Sequence, residues 1–194
     1  FNYLSTGETV TLKYTVQIDD GHGGTATQFL TFTIQGSNDA PIVTGSSTTV
    51  SEEGLTGGIP DSVGNPTDTT DSKSASGQIN VSDPDGDALN VTLGDPGAVL
   101  TSGGQPVIWT GIGTDTLVGK VGTTTILTVT IDNSGNYTVT LDGPIDHLNP
   151  SSEDIKTIAV PVAVSDGQAT TPTTLLVTIE DDAPTAAADT DAVQ

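Results

Sequence analysis

Three carboxylates stand at alternate positions in "SDPDGD": Asp83, Asp85 and Asp87. Like charges held this close repel, and a bound cation is the most direct way to turn that repulsion into cohesion. The run alone reads equally well as a turn, because Asp and Gly favour turns and Pro fixes φ. Other acid runs give it weight. "SNDAP" supplies Asn38 and Asp39, "VSDG" supplies Asp166, "SEEG" supplies Glu52 and Glu53, and "EDDAP" supplies Glu180, Asp181 and Asp182. These runs offer hard oxygen donors without His or Cys. That set suits Ca²⁺, which takes about six to eight oxygens. An EF-hand is excluded, since "DPDGDALNVTLG" has Gly86 at its fourth position and Gly94 where a Glu is needed. "GHGGTATQF" lacks the Asp of the calcium-binding nonapeptide repeat.

The 194 residues carry 25 acidic groups against four Lys (Lys13, Lys73, Lys120 and Lys156), a formal net charge of −21. Phosphate backbones need the opposite sign, so nucleic acid is excluded as a partner. Acidity also keeps a secreted protein soluble, which accounts for scattered acids but not for clustered ones. Without Cys no disulfide framework or thiolate zinc site is available. No apolar run approaches the roughly 20 residues that span a bilayer, so direct membrane insertion is not expected. Nor is a signal-peptide pattern visible.

These groups must be positioned by strands. Aromatics are only 4 % of the chain, and Thr, Gly, Val and Asp dominate. Such a composition favours short strands and turns over helices. Two stretches repeat: "YTVQIDDGHGGTATQFLTFTIQGSNDAP" and "VPVAVSDGQATTPTTLLVTIEDDAP". Each reads as a strand, Asp-Gly, a Thr-rich turn, a second strand and a closing Asp-Ala-Pro. Pro41 and Pro184 stand 143 positions apart, a period that suits a whole domain. The expected organisation follows. Residues 1–37 are the C-terminal strands of a preceding module, 38–41 a linker, 42–180 a complete β-sandwich, and 181–194 a linker and the start of the next repeat.

Within 42–180, Thr44–Val50 is the first strand, residues 57–76 a loop, and "GQINVSD" and "ALNVTLGD" strands flanking the Asp cluster. "QPVIWTG" and "DTLVGKV" follow. Ile126–Ile131 and Tyr137–Leu141 form a hairpin around "DNSGN", and "IKTIAVPVAVSDG" with "TLLVTIE" closes the module. The expected fold is all-β, an Ig-like or cadherin-like antiparallel β-sandwich of about nine or ten strands. A parallel β-helix is the alternative, disfavoured by the long period. In the sandwich, alternate loops share an end. The Asp83–Asp87 loop and Asp166 then meet Asn38 and Asp39 where the chain enters. Glu52 and Glu53 lie near the far end, where Glu180, Asp181 and Asp182 leave.

Catalysis is not expected. His147 follows Asp146, but neighbours in a strand point to opposite faces, so His147 is read as supporting a loop. No phosphate cradle, nucleophile elbow or zinc motif appears. Trp109 with Tyr137 is a candidate sugar-stacking pair, although one Trp in a sandwich is more often core.

"DxDG", "DG" and "NDAP" resemble cadherin elements. The period, "GQINVSDPDGDALNVTL", "GNYTVTLDGPIDH" and "DDAP" together resemble the tandem repeats of large bacterial RTX adhesins exported by type I secretion. Residues 1–41 resemble the end of a VCBS repeat. The resemblance implies an extracellular, calcium-stiffened extender on the bacterial surface, projecting a ligand-binding region for adhesion or biofilm formation, with neighbouring repeats of the same chain as partners. It implies Asn38, Asp39, Asp83, Asp85 and Asp166 as ligands, with Glu52 and Asp182 at the next junction; Asp87 and Asp181 join these by their place in the two acid runs. A carbohydrate- or protein-binding module of the same adhesin is the alternative. An extender carries acids at both ends, whereas a binder gathers aromatics or acids in one cleft.

Overall fold

The structure, a computed structural model, describes residues 1, 3–60, 69–148 and 154–182. The centre of the expected loop at 57–76 and the expected start of a next repeat at 185–194 lie outside them. The strands in chain order are β1 (Thr9–Asp19), β2 (Thr25–Gln35), β3 (Ile42–Thr44), β4 (Ser46–Ser51), β5 (Ser74–Gln78), β6 (Asn80–Ser82), β7 (Asn90–Leu93) and β8 (Thr101–Ser102). They continue as β9 (Gln105–Pro106), β10 (Ile108–Thr110), β11 (Thr116–Val121), β12 (Thr124–Ile131), β13 (Asn136–Leu141), β14 (Ile155–Ser165) and β15 (Thr170–Glu180). A 3₁₀ turn, Glu52–Gly54, follows β4.

The fold is all-β, a β-sandwich. One sheet runs β10-β11-β12-β13-β5 and the other β4-β15-β14-β7. Alternation along each strand explains the layers: Val129, Val139 and Leu141 point inward from one sheet, and Val160, Val162, Leu175 and Val177 from the other. Each fully buried Leu or Val side chain contributes about 1.5–3 kcal/mol of transfer free energy. The expected β12–β13 hairpin is present. Its turn is closed by Asp132, whose carboxylate accepts from the amides of Ser134 and Asn136. Gly135, at φ 80°, comes so close to Ile79 O that a side chain there would collide with it.

One pairing departs from the antiparallel expectation: β4 runs parallel to β15. Both strands travel from the incoming linker toward the far end, so neighbours in the sheet must point the same way. The short pieces β3, β6, β8 and β9 also raise the strand number above that expected.

These registers decide where the acids go. β3 pairs with β6 from Ile42↔Ser82 to Thr44↔Asn80, so the linker ahead of Ile42 lies beside the loop that follows Ser82. β7 pairs with β14 at Asn90↔Ser165, which brings Asp166 to the same end. β4 pairs with β15 up to Ser51↔Glu180, so Glu52 emerges next to Asp181 at the opposite end. β1 and β2 form a separate two-stranded sheet ahead of the linker.

Candidate metal centres

At the linker end, the Asp83–Asp87 loop winds around its own first carboxylate. Asp83 Oδ1 accepts from the amides of Asp85 (2.9 Å) and Asp87 (3.2 Å). Gly86, at φ 78°, makes this winding possible, because a residue with a side chain rarely adopts that angle. Carboxylate oxygens of Asp83, Asp85 and Asp87 lie within 4.8 Å of one another, a group able to hold a metal ion. Asp83 Oδ2 and Asp85 Oδ1 are buried and have no hydrogen-bond partner. An unsatisfied buried carboxylate oxygen is costly, and a cation between these atoms would remove the cost. The donor set therefore fits a hard divalent ion.

The incoming chain is tied to this loop. The Asp39 amide donates to Asp85 Oδ2 at 2.8 Å. Asn38 Nδ2 donates to Asp166 Oδ2 at 2.9 Å, and Gln168 Nε2 donates to Asn38 Oδ1 at 2.9 Å. The Asp166 carboxyl is held below the usual carboxylate range, chiefly by the Ala169 amide and then by Asn38. The segment before β1 also arrives here: Ser5 Oγ donates to Asp87 Oδ1 at 3.2 Å, and the Asn38 amide donates to Thr6 Oγ1 at 3.0 Å. The structure thus brings Asn38, Asp39, Asp83, Asp85, Asp87 and Asp166 to one junction. The Ser5 and Thr6 contacts had no sequence signal.

The far end is built differently. Glu52, Glu53 and Glu180 are buried. The Glu180 carboxylate is fully engaged, accepting from Thr69 N, Thr69 Oγ1 and Thr70 N. Glu52 Oε1 accepts from the Ile145 amide at 2.7 Å. His147, whose side chain is 3 % exposed, stands beside it with Nε2 at 3.3 Å from Glu52 Oε1. Its other ring nitrogen, Nδ1, contacts Asp154 Oδ1. Burial works against a charge on His147, but the pull of Glu52 and Asp154 outweighs it and raises the imidazole above its ordinary value. Burial raises the Asp181 carboxyl, against the attraction of His147. Ligand atoms of Glu52, His147 and Asp181 lie within 4.8 Å of one another, a second group able to hold a metal ion. Asp182 lines a cleft shared with Glu52, Gly57, Gly58 and Pro144.

Sequence reasoning placed Glu52 and Asp181 together but missed His147 and Asp154. The available signal was a His seven positions ahead of an acid at the start of a strand. Asp146, by contrast, turns away to accept from the Gly104 amide at 2.8 Å. The Trp109–Tyr137 stacking pair is not formed: Tyr137 is buried with its hydroxyl against Ser46 Oγ, and Trp109 packs against the core. Among the described residues, no helix is long and apolar enough to cross a membrane. Comparison with known protein families and with curated proteins finds no match.

Proposed function

We propose that this chain is a calcium-stiffened extender: a β-sandwich repeat of a large bacterial surface adhesin, non-enzymatic and exported, that holds a ligand-binding region away from the cell. The observation that carries this reading is the pair of orphaned, buried oxygens, Asp83 Oδ2 and Asp85 Oδ1, in a three-carboxylate loop that the incoming linker touches. An enzyme site has no need to sit on a linker, but a joint does. Calcium bound by Asp83, Asp85 and Asp87, with Asn38, Asp39 and Asp166 around it, would fix the linker to the sandwich. The far end, where Asp182 lines a cleft, would face a following repeat, and its Glu52–His147–Asp181 group differs in donors from the calcium loop. Affinities of extracellular calcium modules, about 10⁻⁴–10⁻³ M, would keep the loop unliganded in a cytoplasm and fill it outside.

Thermal melts in millimolar calcium and in a calcium-selective chelator test the reading. Calcium at about 10 mM, roughly 10 to 100 times such a dissociation constant, stabilises by about 1.4–2.7 kcal/mol, or roughly 3–10 °C for a chain of this size. Asp85→Asn should abolish the difference and leave a β-type circular dichroism spectrum. Superimposable wild-type melts would overturn calcium binding. Two repeats in tandem should scatter as an extended rod in calcium and as a more variable particle in chelator. Identical scattering profiles from folded modules would overturn the stiffening role.

A further inference from the structure

We propose that the far-end group of Glu52, His147 and Asp181 is a site for a borderline divalent metal of the zinc class, distinct in chemistry from the all-oxygen loop at the other end. The inference does not depend on calcium at Asp83–Asp87.

Three observations carry it. The first is the donor set. Imidazole nitrogen suits zinc and its transition-metal neighbours, whereas calcium favours an all-oxygen shell. The second is the state of His147. Its side chain is 97 % covered, and Nε2 is buried without a hydrogen bond while facing Glu52 Oε1 at 3.3 Å. Bonds of about 2.0–2.1 Å in a tetrahedron place ligand atoms roughly 3.3–3.4 Å apart, so this spacing already matches one edge of such a site. The third is what stands behind the ring. Asp154 engages Nδ1, and the same carboxylate accepts from the Leu148 amide at 3.2 Å. A carboxylate on Nδ1 fixes the tautomer that leaves the Nε2 lone pair for a metal, the arrangement found behind most histidine ligands.

The other polar contacts leave room for coordination. Glu52 Oε1 accepts from the Ile145 amide, and Asp181 Oδ1 accepts from the Asp182 amide. Each carboxylate keeps further lone pairs. Three protein ligands leave a fourth position, and the cleft lined by Glu52 and Asp182 provides space for water or for the Asp182 carboxylate. Such a metal would clamp three separate segments: the 3₁₀ turn after β4, the segment that follows β13 and the residue after β15. The competing arrangement is a proton: His147 as an imidazolium bridging Glu52 and Asp154 with no metal.

The test uses the untagged 194-residue chain, freed of metal by chelation, and titrates zinc by calorimetry. We expect one zinc per chain that millimolar calcium does not displace. His147→Gln should weaken it at least 100-fold, and Asp154→Asn 10- to 100-fold. Asp85→Asn and His22→Gln should leave zinc affinity unchanged. Cobalt in place of zinc should give the intense visible bands of a low-coordinate site. Zinc that binds equally to wild type and His147→Gln, zinc that calcium displaces, or no zinc at all would each overturn the proposal; the last would leave the imidazolium bridge. If His147→Gln does not fold, the cobalt spectrum of the wild type and its loss in Asp154→Asn decide the matter. Loss of calcium stabilisation in Asp85→Asn with zinc binding intact separates this site from the calcium joint.

Discussion

The hairpins β1–β2 and β14–β15 share a register and differ in what lies on them. Each pairs 11 residues of one strand with 11 of the next, from Thr9↔Gln35 to Asp19↔Thr25 in one and from Ile155↔Glu180 to Ser165↔Thr170 in the other. Pair by pair, Tyr14↔Leu30 matches Val160↔Leu175, and Leu12↔Phe32 matches Ile158↔Val177. In β14–β15 this apolar face is sealed by the opposite sheet, and Leu175 is 0 % exposed. In β1–β2 no sheet among the described residues covers the same face, and Leu30 is 46 % exposed. Backbone pairing and alternation are therefore sufficient to set the hairpin geometry, while burial comes from a second layer. A two-stranded hairpin in water is marginal by itself, so nearly all the stability that residues 9–35 can gain from their apolar face awaits such a layer.

Identical residues at matched positions allow this comparison to be broken cleanly. Leu175→Ala should destabilise the sandwich by about 2–5 kcal/mol, because a fully buried side chain leaves a cavity. Leu30→Ala should change the global transition by no more than about 0.5 kcal/mol, as exposed positions do. Urea melts of the two variants measure both. Equal effects would mean that the face of β1–β2 is covered in solution. A smaller but sharper contrast lies in Val162 and Val16, 1 % and 43 % exposed. Hydrogen exchange should protect the Val162 amide to the level of global unfolding, while the Val16 amide exchanges through local opening of its hairpin. Matching protection would again contradict the comparison.

Much of this was legible in the sequence because it is periodic. The alternation in "ILTVTI" and "YTVTL" specifies β12 and β13, and the closing "DAP" runs mark both hairpins. The linker-end cluster was legible too, since its carboxylates are crowded in sequence before they are crowded in space. The far-end group was only half legible. Glu52 and Asp181 come together through the parallel β4–β15 pairing, and strand direction leaves no local pattern. His147 reaches Glu52 across 95 positions, and its orientation depends on Asp154, whose role no motif announces. Short pieces such as β8 and β9 carry too few residues to show a period.

The turn carboxylates give the smallest and most discriminating contrast. Asp20 closes the β1–β2 turn by accepting from the amides of His22 and Gly24, and Asp132 closes the β12–β13 turn by accepting from the Asn136 side chain and the amides of Asn136 and Ser134. Both carboxyls are held below their ordinary value by these bonds, led by the His22 amide for Asp20 and by the Asn136 side chain for Asp132. A carboxyl whose folded value is depressed contributes stability above its unfolded value, about 3.9, and loses it as pH falls through the folded value. That contribution reaches the global transition only if the turn melts together with the sandwich. Asp132→Asn should therefore lower the melting temperature at pH 7, and this effect should shrink as pH falls below the unfolded value and through the depressed folded one. Asp20→Asn should shift the local titration of its own hairpin, read by NMR, and leave the melting temperature unchanged across the same range. A melting shift from Asp20→Asn as large as that from Asp132→Asn would show the two hairpins melting as one unit, and the bare face of β1–β2 would then need a cover in the folded protein.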